Sequence, residues 1–176
     1  MTDRSDPSEL TSGGDLEDRV RKALELSGAE FEIIDCDPAL ADTAQFCAHY
    51  GYDLENSANA ILVRSKTGEE KFALCIVLAD CRLDVNKVVK KKLGVRKASF
   101  AGPDETRART GMEIGGVTPV ALPDGLPVWV DARVMDFDRV ILGGGSRSKK
   151  VIVDPAYFHS LHDTEIVPDL ARPAPV

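Results

Sequence analysis

Residues 58–79 read ANAILVRSKTGEEKFALCIVLA. Two apolar runs flank KTGEE, and Gly68 within it permits a reversal, so the spacing predicts a β-hairpin. Working outward toward the C-terminus, Asp84 can start a helix. It turns Val85, Val88, Val89 and Leu93 inward and its lysines outward, with Gly94 as a stop. KASF (97–100) reads as a short strand, and Gly102-Pro103 opens a helix running through Arg109, where proline's missing N–H costs little. Further on, VWVD (128–131), RVIL (139–142) and KKVIVD (149–154) read as strands, and Pro155 can start a last helix, AYFHSLH. Toward the N-terminus, Asp15 can cap a helix with Leu16, Val20, Ala23, Leu24 and Leu26 at helical spacing, stopped by Gly28. FEIID (31–35) is strand-like, and Thr43 can cap a short helix ending near Gly51. Short strands and helices in irregular order, without a repeat, predict an α+β domain on a mixed, curved sheet rather than a βαβ series.

A chain of 176 residues, 43% hydrophobic and 29% charged, suits a single soluble domain. Residues 1–14 and the proline-rich 164–176 are expected to be a flexible tail and an irregular tail around a domain at 15–163. No apolar run approaches the roughly 20 residues that span a bilayer, and the polar N-terminus carries no secretory signal. The expected compartment is the cytoplasm. Cys36, Cys47, Cys75 and Cys81 form no C-x-x-C pair and no zinc spacing, which predicts buried free thiols. A net charge of −7 argues against nonspecific nucleic-acid binding by the whole molecule. VNKVVKKKLGVRK nonetheless concentrates Lys87, Lys90, Lys91, Lys92, Arg96 and Lys97. That stretch reads either as a solvated helix face or as a local phosphate-tracking patch, which Arg147, Lys149 and Lys150 can extend.

Two glycine-rich loops are the strongest chemical signal. Gly111, Gly115 and Gly116 precede Val117-Thr118-Pro119, and Gly143-Gly144-Gly145 follows RVIL. Each alone reads as a tight turn. Together, at strand ends, they can present main-chain N–H groups to a carboxyl ester and its developing oxyanion. GGGS lacks the phosphate-loop pattern, no G-x-S-x-G elbow is present, and no Ser/His/Asp or Cys/His set is suggested locally. His159 and His162 stand three apart without an acidic partner, so no metal site and no cofactor is expected.

Four blocks, ANAILVRSKTGEEKFALCIVLADCRLDVNKV, ETRARTGMEIGGVTPVALP, LPVWVDARV and RVILGGGSRSKKVIV, with the spacing between them, resemble the YbaK-type aminoacyl-tRNA deacylase family. These are trans-editing relatives of the insertion domain of bacterial prolyl-tRNA synthetase, and the resemblance covers roughly residues 15–160. It implies a barrel-like core with surrounding helices. It also implies hydrolysis of the ester joining a wrong amino acid to the tRNA acceptor end, with a synthetase as a possible partner and no membrane. The resemblance assigns the aminoacyl pocket to Gly115, Gly116, Val117, Thr118 and Pro119, with Gly143 and Asp131 nearby and Gly144 and Gly145 beside the ester. Lys87, Lys90, Lys91, Arg147 and Lys149 are the expected tRNA contacts. Active relatives carry a lysine in a Lys-Thr-hydrophobic context where this chain has Asn59. A charged hydrogen bond is worth roughly 1.5–3 kcal/mol against about 1 for a neutral one, so the exchange is expected to slow catalysis about tenfold or more. Two readings follow, a deacylase using Asn59 in a variant site, or a noncatalytic module that binds aminoacyl-tRNA or a synthetase.

Overall fold

The computed structural model describes residues 13–175. Helix α1 (Gly13–Ser27) leads into strand β1 (Phe31–Asp35), a 3-10 turn at Pro38–Leu40, and α2 (Thr43–Tyr50). The hairpin is β2 (Ala58–Ser65) and β3 (Phe72–Leu78), followed by β4 (Cys81–Leu83). A π-helical turn, Val85–Val89, continues into α3 (Lys90–Leu93), and then come β5 (Ala98–Phe100) and α4 (Pro103–Thr110). The remaining strands are β6 (Val128–Asp131), β7 (Val140–Gly143), β8 (Lys149–Val153), β9 (Thr164–Val167) and β10 (Ala171–Pro173).

The strands form three sheets. Five strands lie in the order β5-β2-β3-β6-β9, antiparallel around the hairpin and parallel from β3 to β9. Three antiparallel strands lie in the order β1-β8-β7, and β4 pairs with β10. A parallel bridge, Ser57 to Ile141, ties the start of β2 to β7. The five-stranded sheet is mixed, as expected, but the sheets do not close into a barrel.

Strand β3 shows why the hairpin sits at the centre. Its residues alternate between two apolar clusters, as period-two geometry requires of a strand covered on both faces. Leu74, Ile76 and Leu78 meet Val140, Leu142, Val151 and Val153 of the three-stranded sheet, together with Val20 and Leu24 of α1. Ala73, Cys75 and Val77 meet Val89 and Leu93 of the basic helical segment, plus Trp129. Helix α2 covers the other side of the three-stranded sheet through Phe46 and Cys47. Cys36, Cys47 and Cys75 are buried free thiols and Cys81 is half-buried.

Several local expectations are corrected. Helix α1 begins at Gly13, so residues 13 and 14 belong to it and Asp15 lies in its first turn; residues 1–12 lie outside the described residues. Asp42, not Thr43, caps α2, its carboxylate accepting from the Ala44 and Gln45 amides at 3.1 and 3.4 Å. The last helix is a 3-10 segment, Pro155–Ser160, that leaves His162 outside it. Segment 164–176 is not irregular throughout, because TEIV completes the parallel edge on β6 and Ala171–Pro173 pairs with β4. Pro173 stands at the end of that short edge pairing, where a missing donor is tolerated.

Candidate functional site

The two glycine loops meet backbone to backbone. The Gly145 amide donates to the Gly116 carbonyl at 2.8 Å, and the Gly116 amide closes its own turn on Glu113 at 2.9 Å. A Cβ on Gly116 would lie 2.5 Å from the Ser146 carbonyl, and one on Gly144 would lie 2.6 Å from that of Lys149. A Cβ on Gly143 would lie 2.9 Å from the Val117 carbonyl carbon and closer still to its oxygen. Glycine is required here because another main chain occupies the space. Below the first loop, Thr110 folds back to accept the Met112 amide at 3.0 Å, which holds the exit from α4.

Beside this junction lies a cavity of about 290 Å³ lined by Gly115, Val117, Gly143, Arg147 and Lys150 from the two loops and β8. The α2 cap Asp42, Thr43 of α2 and residues 58–61 of β2 form the facing wall. Asn59 is thus brought to both loops. Its Oδ1 accepts the Thr43 hydroxyl at 2.6 Å, so the donor capacity of this cavity-lining amide rests on its Nδ2 hydrogens.

Arg147 and Lys150 build the cationic side. The Arg147 guanidinium donates to the Pro38 carbonyl at 2.8 and 3.2 Å and to the Ile114 carbonyl at 2.5 Å, stapling two turns across the cavity rim. Lys150 is only 4% exposed. Its ammonium donates to the carbonyls of Ala41 at 2.6 Å and Gly115 at 3.0 Å, and lies 5.4 Å from the centre of the Phe46 ring. Burial holds its pKa below the ordinary lysine value.

Other expected residues lie elsewhere. Gly144 and Gly145 support the junction from behind; a Cβ on Gly145 would meet Val20 of α1 at 3.0 Å. Thr118 is fully buried, its hydroxyl accepting the Val120 amide at 3.4 Å, and Pro119 lines a separate cleft of about 520 Å³ with Tyr157 and Leu161. Asp131 does not line the cavity. Its carboxylate accepts the Arg133 amide at 2.9 Å and the Ala171 amide at 2.5 Å, and so pins β10. Lys149 reaches outward to Asp35 in an ion pair. Lys87, Lys90 and Lys91 do not line the cavity either, but Asn59, Ile61 and Val63 share one face of β2 by alternation. Ile61 and Val63 pack in the cluster that holds Val88, Val89 and Leu93, so the basic segment flanks the face that carries Asn59. A larger cleft, about 640 Å³, opens between Phe72, Arg109, Lys92 and Trp129, away from both glycine loops.

Lys150, expected from the sequence only as an extension of the basic patch, enters the cavity instead, and the strand pattern carries a signal for this. Adjacent residues of a strand face opposite ways, so one lysine of Lys149-Lys150 had to turn inward.

A family model described as the aminoacyl-tRNA editing domain matches residues 37–161, a span holding both glycine loops and Asn59. The chain belongs to that family. This editing domain is 27% identical over 143 residues to YwhH of Bacillus subtilis (strain 168), a protein described as uncharacterized, covering 81% of this chain and 88% of that one. Its fold matches a crystal structure assigned provisionally as a trans-editing enzyme for prolyl tRNA synthetase, with TM-score 0.73 at 22% identity, covering 90% and 97% of the two chains. It also matches the crystal structure of the hypothetical protein APE2540, with TM-score 0.76 at 22% identity, covering 88% and 99%. Among the described residues of the editing domain, no helix is long and apolar enough to cross a membrane.

Proposed function

We propose that the protein is a trans-acting aminoacyl-tRNA deacylase that hydrolyses the ester between a wrongly attached amino acid and the tRNA acceptor end. The observation that carries this reading is the convergence of Gly115, Val117, Gly143 and Asn59 on one small cavity in a chain of the editing family. A volume of about 290 Å³ suits an aminoacyl group and leaves the rest of the tRNA outside. Approach from the side of Lys87, Lys90 and Lys91 would bring phosphates onto the basic segment while the terminal adenosine enters beside Asn59. Water is the nucleophile in this reading, and the site contributes donors and exclusion of bulk solvent rather than a covalent intermediate. Incubation with a panel of mischarged tRNAs tests it. Release of amino acid from at least one tRNA at micromolar enzyme is expected, and no release from any, with a lysine-bearing relative active alongside, removes it.

One observation favours a second reading, a noncatalytic module that binds aminoacyl-tRNA or a synthetase. In the cavity wall Asn59 offers only a neutral amide, its Oδ1 taken by the Thr43 hydroxyl, where the family resemblance leads one to expect a lysine. On this reading Asn59→Lys gains deacylation and the parent has none. A parent that turns over, and loses turnover in Asn59→Ala, excludes it.

A further inference from the structure

We infer that Lys150, rather than the Arg147 guanidinium tied to the Pro38 and Ile114 carbonyls at the rim, is the cation that acts in this cavity, its ammonium receiving the carbonyl oxygen of the aminoacyl ester that Asn59 alone meets with a neutral donor. The inference rests on the deacylase reading and assigns the charge within that same site.

The geometry leaves the ammonium one hydrogen short of satisfied. Lys150 has three N–H donors, and two go to the carbonyls of Ala41 and Gly115. Among the described residues no carboxylate lies within ion-pair distance of it, although 11 ion pairs exist elsewhere. A buried ammonium whose direct contacts are two carbonyl dipoles and the face of Phe46, with the Asp42 carboxylate on the same cavity wall but beyond ion-pair distance, is costly without a closer anion or a strong acceptor. The cavity wall is where such an acceptor can arrive. Charge developing on an ester oxygen during attack is the chemistry that a fixed ammonium stabilises more in the transition state than in the ground state.

The step is a balanced hydrolysis. Water adds to the ester carbon, and the C=O electron pair moves onto oxygen as an oxyanion held between the Lys150 ammonium and the Asn59 amide. The carbonyl then re-forms as the bond to the ribose oxygen breaks. That oxygen takes the proton given up by the added water, and the free amino acid and deacylated tRNA are the products. Lys150 remains protonated throughout.

Lys150→Met keeps the apolar stem and removes the charge; Lys150→Arg keeps a charge that does not titrate. With a mischarged tRNA that the parent hydrolyses, Lys150→Met is expected to lower kcat by about 10²-fold, with KM changed much less. The parent is expected to lose rate on the alkaline side as the ammonium deprotonates below the ordinary lysine range, while Lys150→Arg retains its rate to higher pH. Around Lys150 stand Cys36 just after β1, Asp42 that caps α2, Cys47 of α2 and Arg147 of the β7–β8 loop. Burial pushes the Cys36 thiol up, and arginine stays charged throughout. A folded Lys150→Met with parental kcat overturns the inference. If Lys150→Met does not fold, an alkaline limb shared by the parent and Lys150→Arg overturns it.

A parent inactive on every mischarged tRNA removes the deacylase reading instead. Binding of 3′-alanylamino-3′-deoxyadenosine, whose amide carbonyl takes the place of the ester's, then decides the matter for Lys150. Binding by the parent that weakens tenfold or more in Lys150→Met upholds the assignment, and equal binding or none overturns it.

Discussion

Replacing Gly143 with alanine adds one methyl group where the two glycine loops touch. The new Cβ would lie 2.9 Å from the Val117 carbonyl carbon, 3.0 Å from that of Gly116, and closer still to the Val117 oxygen, whereas real Cβ atoms essentially never approach within 3.0 Å. The clashing atoms are main chain, so no rotamer change relieves them and one loop must move by about 1 Å. Overpacking of this kind costs roughly 1–3 kcal/mol. For a domain of this size each kcal/mol lowers Tm by about 2–4 °C, so a fall of roughly 2–12 °C is expected. The Gly143 wall of the cavity shifts with the loop, so deacylation should fall by more than the unfolded fraction explains. Gly102→Ala is the control, since a Cβ there meets nothing within 4 Å. Calorimetric melts with single-turnover assays on the same samples give both numbers. A Gly143→Ala protein with parental Tm and parental rate would refute the claim that the loops meet through their main chains.

Asp131→Ala strips the partner from two amides, those of Arg133 and Ala171. A loss of about 2–4 kcal/mol in chemical denaturation is expected, with faster amide exchange at Ala171. Thr43→Val frees the Asn59 amide to rotate, and a several-fold fall in kcat with little change in Tm is expected; unchanged kcat would show that this contact does not orient Asn59. Reversing Lys87, Lys90 and Lys91 to glutamate should weaken tRNA binding and flatten its log–log salt dependence by about two to three; an unchanged slope rules out this segment as a phosphate contact. Burial raises the Cys75 thiol from 9.0 to about 12 and the Tyr157 hydroxyl from 10.0 to about 12. Each group stays protonated in the folded state where the unfolded chain ionises. Their stability contributions are therefore complete below about pH 9 and decline by up to roughly 1.4 kcal/mol per pH unit per group as pH rises toward 12. Denaturation midpoints across pH 8–11 should show that decline, and Cys75→Ala should make it shallower.

The elements legible in the sequence are those whose causes are local. The hairpin at 58–79 carries its own turn, and the 84–94 segment carries its cap, its apolar stripe and its stop. The convergence of the glycine loops is a long-range fact, yet it left a local trace, because main chains in contact tolerate only glycine at Gly116, Gly143 and Gly144. The C-terminal strands left less. Three prolines in PDLARPAPV read as breakers, while the pairing that orders Ala171–Pro173 comes from β4, about 90 residues earlier, and from the Asp131 carboxylate. Asp131 itself illustrates the limit, since a carboxylate at a strand end looks the same in sequence whether it faces a ligand or holds a backbone. Alternation requires one of Lys149 and Lys150 to face inward, but only the sheet determines that it is Lys150.

The parallel run from β3 through β6 to β9 bears on synthesis as well as stability. Strand β9 comes off the ribosome after all its sheet partners, and until it docks, β6 presents a bare row of amides and carbonyls along Val128–Asp131. The nascent chain therefore passes through a stage with an open, apolar rim that pairs readily with a neighbouring copy. Premature termination shortly before residue 164 would leave the glycine junction encoded in full and yet yield a product prone to self-association.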